Sequence, residues 1–213
     1  ILSAVMLVFA ASGYAQETGA AGAGERNEWL PTFEAVAVDA DLDVKFVRVP
    51  DTEAPKIVYD TKGSYTTKFR AEVKDKTLRI SEKPDSRRPD RTEVTVYYNA
   101  LRAVSLSGAA ATFVGTLDAA VLDVTVNRKA SLTAKLDVKD LKMEQTGYST
   151  ANLSGSVRYL TLYVSTGKVA ASDLEVMSAE VNAQSKAEVS LWITDRFVGK
   201  TTTNARISYK GDP

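Results

Sequence analysis

The chain has 213 residues, 44% of them apolar, enough to bury one large core or two small ones. Its 27 Lys plus Arg balance its 27 Asp plus Glu, which gives no electrostatic ground for nucleic acid or anionic lipid as a partner. With no Cys and no His, the Ser-His-Asp triad, a Cys nucleophile, a His base near pH 7, disulfide staples and an ordinary zinc site are excluded, and neither a metal nor a cofactor is expected.

The first sixteen residues, ILSAVMLVFAASGYAQ, hold an apolar run of about ten residues followed by small residues at Gly13 and Ala15. This predicts a signal peptide over 1–15, cleaved after Ala15; the run is too short for a spanning anchor. The missing initiator Met and basic n-region predict that the gene product starts further upstream. No Cys follows the run, so lipid anchoring is not indicated. The polar, Gly-rich QETGAAGAGERNE is expected to be a flexible linker over 16–28. Residues 29–213 are then a single β domain, and the mature chain has no transmembrane segment.

Between residues 33 and 98 apolar residues alternate, as in Val36-x-Val38, Val44-x-Phe46, Phe69-x-Ala71-x-Val73, Leu78-x-Ile80 and Val94-x-Val96-x-Tyr98. Period two predicts strands. Their spacing is irregular, so 29–98 reads as irregular N-terminal turns or a cap. SEKPDSRRPDR, from Ser81 to Arg91, is a charged loop between two of them.

From residue 99 onward apolar columns recur about every 19 residues. One holds Ala111, Ala130, Ala151, Val169, Ala187 and Ala205. A second holds Leu122, Leu141, Leu160, Ala179 and Phe197. A third holds Leu117, Leu136, Val157, Leu174 and Ile193. Alternation within rows (Leu122-x-Val124-x-Val126, Leu160-x-Leu162-x-Val164) and phase between rows together predict a parallel β-helix of three-strand rungs. An antiparallel sandwich would not need three columns kept in phase. Gly115, Ala134, Gly155 and Ser172 are expected at corners, and Leu132, Leu153, Leu160, Leu162 and Val189 in the core.

Candidate sites are few. Asp118 and Asp137 fall in one column on adjacent rungs, and a carboxylate pair about 5 Å apart could hydrolyse a glycoside. The same column is expected to continue with Arg158 and Glu175, which reads as a mixed-charge ladder on a solvated face. Asp123, Lys142, Thr161 and Glu180 read the same way. Tyr163 and Trp192 should point outward on different faces, where an aromatic can stack on a sugar or anchor a protein. Asp39, Asp41 and Asp43 have the spacing of the first calcium-loop ligands, but Val44 and Pro50 stand where that loop needs Gly and Glu. Arg87, Arg88 and Arg91 could hold an anion or be solvated.

Several stretches carry a family resemblance: FEAVAV near the start, TLRISEKP, LRAVSLSGAA at the first regular turn, and ISYKGDP at the end. Over about Phe33 to Pro213 the chain resembles the bacterial family called "putative auto-transporter adhesin, head GIN domain". Ser107-Gly108, Thr146-Gly147 and Thr166-Gly167 fit that family's Ser/Gly turns. Asn127-Arg128, Gln184-Ser185 and Thr203-Asn204 depart from them. The resemblance implies a right-handed parallel β-helix exported by Bacteroidetes-type bacteria, and a further Ser/Gly-rich segment beyond Pro213. It implies no established activity.

The sequence reading is thus an exported, non-enzymatic β-solenoid of the envelope (periplasm, outer membrane or cell surface) that binds glycan or a surface protein, with end-to-end self-association at an open edge. The alternative is a carbohydrate-active enzyme of pectinase-like shape using Asp and Glu carboxylates. A concave groove holding clustered Asp, Lys and Arg would favour the enzyme; a flat mixed-charge surface would favour binding.

Overall fold

The computed structural model describes residues 25–62, 67–87, 90–202 and 204–213; the expected signal peptide lies outside them. The described residues form strands joined by turns and loops, and no helix among them is long and apolar enough to cross a membrane. The chain forms a β-solenoid of about six turns whose parallel coils recur about every 19 residues.

The regular part consists of long strands: β9 (Ala110–Asn127), β10 (Ser131–Thr146), β11 (Thr150–Ser165), β12 (Lys168–Gln184) and β13 (Glu188–Thr201), closed by β14 (Arg206–Lys210). Each pairs in parallel with the next. The three short runs of each sequence row are therefore one strand that bends at corners without leaving the ladder. Along β10 the burial alternates until two consecutive residues, Lys139 and Asp140, both face solvent. Arg158 and Tyr159 break the alternation in β11 at the same level. Such a break turns the chain while keeping both flanking faces on one core.

The other corner uses glycine. Gly155 has φ +102, and a Cβ there would lie 2.0 Å from the Leu136 carbonyl oxygen, so no side chain fits. The ladder shifts register near this level, between Thr133 and Lys135 and between Asn152 and Ser154.

The column Leu122, Leu141, Leu160, Ala179, Phe197 stands in register at every step. The other two need correction. Ala111 stacks on Leu132, Ala151, Val169, Val189 and Ile207, so Ala130, Ala187 and Ala205 belong two residues earlier. Leu136 meets Gly155, while Val157 lies beside Val138. A slip of two residues leaves the inward face unchanged, which is why alternation alone does not reveal it. Leu132, Leu153, Leu160, Leu162 and Val189 are all buried.

The N-terminal region stacks out of sequence order. β2 (Ala35–Asp39) pairs in parallel with both β6 (Thr77–Glu82) and β8 (Ala103–Ser107). β3 (Asp43–Arg48) pairs in parallel with both β7 (Glu93–Tyr98) and β9. The first coil thus lies between the second and the third. Phe46 stacks on Phe113 at 4.6 Å, with Tyr98 edge-on to both.

Antiparallel strands cover the outer side of the second coil. β4 (Lys56–Asp60) pairs with β7, β1 (Glu25–Trp29) with β4, and β5 (Phe69–Lys74) with β6. Tyr59 and Phe69 stack at 4.4 Å across this cap. Ending a parallel stack in antiparallel strands covers a core that would otherwise face water. β1 overlaps the end of the expected linker: Glu25 to Glu28 pair with Ile57 to Asp60, and Tyr59 Oη donates a hydrogen bond to Glu28 Oε1 at 2.5 Å.

Candidate functional site

The corner at Lys139–Asp140 shapes the outer surface beside it. Val138 and Val157 turn inward and are buried. Their neighbours turn outward on either side: Asp137, Ser156 and Glu175 on one, Lys139, Arg158 and Met177 on the other. Together they line an open groove of about 530 Å3 that runs across the strands, along the stacking direction. Successive residues of each wall are one ladder step, about 4.8 Å, apart.

The two walls differ in how their charges are met. Asp118 and Asp137 are register partners, as the sequence implies, and both are exposed. Their column continues with Ser156 and Glu175; Arg158, expected in it, stands on the opposite wall. The compensation expected from Arg158 comes from elsewhere. Arg48 Nη1 of β3 pairs with Asp118 Oδ2 at 3.2 Å, and Ser156 Oγ donates to Asp137 Oδ1 at 3.1 Å.

On the other wall Lys139 and Arg158 lie opposite each other, since the pairs Val138–Val157 and Asp140–Tyr159 flank them. Among the described residues neither has an ion pair. Arg158 therefore does not belong to the Asp118 column, and Lys139 and Met177, which hydrophobic alternation does not single out, complete this wall. The signal for this wall is the doubled polar step in each row, Lys139-Asp140 and Arg158-Tyr159, which marks the corner.

The remaining candidates do not converge on one site. Asp123, Lys142, Thr161 and Glu180 do form one outward column. Tyr163 is half-buried, its hydroxyl 3.3 Å from Gln184 Oε1. Trp192 is half-buried beneath Lys210, whose Nζ sits 4.8 Å from the ring centroid. The two aromatics stand on different columns, as expected; neither lines the groove, but Trp192 is the register partner of Glu175 at the end of its acidic wall.

The three aspartates of the first turn are held by arginines. Arg91 pairs with Asp41 and, at 2.8 Å, with Asp43; Arg128 reaches Asp39 at 2.8 Å, and Ser107 Oγ donates to the same oxygen at 3.0 Å. The guanidinium of Arg91 thus bridges two carboxylates that a calcium ion would need, and it is drawn away from an arginine cluster with Arg87. Arg88 lies outside the described residues. No group of three or more His, Cys, Asp or Glu able to hold a metal occurs among the described residues.

Coils in phase, a capped N-terminal end and an open charged groove define the class: a parallel β-solenoid with a solvent-facing display surface. The chain belongs to the family described as "Putative auto-transporter adhesin, head GIN domain", whose model matches residues 32–213.

Solved structures share the fold. A "putative adhesin" from Bacteroides fragilis superposes with a TM-score of 0.69 at 17% identity, covering 88% of this chain and 93% of that one. A "putative adhesin" from Parabacteroides distasonis gives 0.58 at 20% identity over 88% and 94%. A "putative lipid binding protein" from the same species gives 0.59 at 12% identity over 88% and 97%. No curated protein matches the chain.

Proposed function

We propose that this chain is an exported, non-enzymatic binding protein of the bacterial cell envelope that engages a glycan or a surface protein through the outer face of its solenoid. The observation that carries this reading is the open groove with exposed charge on both walls. The ladder fixes the backbone spacing of those groups before any ligand arrives, so the ordering cost of binding falls on side chains alone. Membership of an adhesin-type family supports the same role.

Catalysis fits the groove less well. The groove does bring Asp, Lys and Arg together, the arrangement the enzyme alternative requires. It is nevertheless open to water along its length, whereas glycoside hydrolysis by a carboxylate pair needs one acid kept protonated in an apolar, enclosed setting. Asp118 and Asp137 are both exposed instead, Asp118 meeting Arg48 and Asp137 accepting from Ser156.

An array of glycans and extracellular-matrix proteins, probed with the exported chain, tests the proposal. Saturable binding to at least one class is expected. No binding to any member, with the protein folded, would contradict it.

A further inference from the structure

We propose that the groove beside the Lys139–Asp140 corner is a subsite for an acidic saccharide, its carboxylate seated on Lys139 and Arg158 and its hydroxyls on Asp137, Ser156 and Glu175. The inference rests on the binding reading above and names the ligand class for it.

Like charges directly opposite in a sheet repel, and folded chains usually meet them with a counter-charge. In the acidic column this has happened in part: Arg48 takes Asp118 just beyond the groove, and Ser156 donates to Asp137, while Glu175 has no ion pair among the described residues. On the basic wall it has not. Lys139 and Arg158 stand in register on adjacent strands, both exposed, with no ion pair among the described residues. The fold therefore holds two cations about one ladder step apart and leaves them for something else to neutralise.

The opposite wall narrows what that can be. A compact inorganic anion seated on the cations gains nothing from Asp137 and Glu175 across the groove and is repelled by them. A neutral glycan leaves the cation pair uncompensated. A sugar acid satisfies both walls: one carboxylate faces Lys139 and Arg158, where Arg158 can bind it bidentately, while hydroxyls on the other side donate to the carboxylates and exchange hydrogen bonds with Ser156 Oγ. Exposed Met177 on the rim offers apolar surface to the C–H face of the ring. Because the groove follows the stacking axis, an oligomer can extend along it.

The test is calorimetric titration with oligogalacturonate, its methyl-esterified form, a neutral oligosaccharide of equal length, and inorganic phosphate, against the wild type and a Lys139→Gln, Arg158→Gln double variant. Both positions are exposed, so the variant should keep the wild-type circular dichroism and Tm. We expect the free-acid oligomer to bind, the ester and the neutral sugar to bind at least tenfold more weakly, and phosphate not to compete at equimolar concentration. The double variant should lose at least tenfold in affinity for the acid form, and added salt should weaken the wild-type interaction.

Equal binding of acid and ester, or an unchanged double variant, would overturn the subsite. So would a wild type that binds another member of the glycan and matrix array but no uronic-acid oligomer, which would leave the broader binding reading standing. A wild type that binds nothing at all would overturn both.

Discussion

Single side chains in this fold answer to partners far away in sequence. Asp118 and Asp137 were legible as neighbours because alternation and period put them in one column. Their compensation was not legible. Arg48 reaches Asp118 from a strand 70 residues earlier, and nothing local in either sequence marks the other. The same holds for Arg91 with Asp43.

Tyr98 carries a prediction at this scale. Burial pushes its phenol up to about 12 from the ordinary value near 10, against the opposing charge of Arg48. The folded state therefore holds this proton more tightly than the unfolded chain. Its contribution to stability is fully present below pH 10 and is lost as pH rises from 10 to 12, where the unfolded phenol ionises first. Replacing Tyr98 with Phe removes that linkage. Unfolding free energy measured across pH 9 to 12 should fall less steeply in Tyr98→Phe than in the wild type; parallel slopes would contradict the assignment.

At the scale of elements, the turns that close successive coils share one conformation despite different residues. Arg128, Gly147, Thr166 and Ser185 each carry positive φ, at 59, 69, 58 and 57 degrees. The sequence pointed to Gly147 at this place but set Thr166-Gly167 one residue out of phase, because it looked for glycine rather than for the position. The positive φ falls on Thr166, a β-branched residue for which that conformation is costly. Thr166→Asn should stabilise the protein by about 1 kcal/mol, since Asn accepts this conformation without the chain entropy of Gly. Urea midpoints at constant m-value would measure it; a lower midpoint would mean that the Thr side chain contributes something the turn geometry does not reveal.

Gln145 shows how a polar residue can occupy an apolar column between Val126 and Val164. Its Nε2 donates to the carbonyl oxygens of Ser149 at 2.8 Å and Lys168 at 3.1 Å, tying the turn of its own coil to the start of the next. A reading by hydrophobic period passes over such a residue, because its value lies in backbone groups that only stacking brings close.

At the scale of the molecule, the solenoid was readable from residue 99 onward because each coil repeats the last. The N-terminal coils were readable only as strands. Their order, with the first coil between the second and third, leaves no periodic trace: two coils that touch without being consecutive share no fixed spacing in sequence. The groove was hidden for a related reason. Its walls are built from residues two apart in a strand, on either side of a buried Val, and the corner that opens it depends on the bend rather than on composition.

The central claim is that this surface binds without cutting. The most direct test incubates uronic-acid and neutral oligosaccharides with the wild type and with an Asp118→Asn, Asp137→Asn double variant, then follows ligand size by chromatography. Each substitution replaces an exposed carboxylate, so stability should change by no more than about 1 kcal/mol. The account predicts that the wild type returns every ligand at its original length. Shortened products from the wild type that the double variant fails to make would contradict it and would assign the paired aspartates a catalytic role.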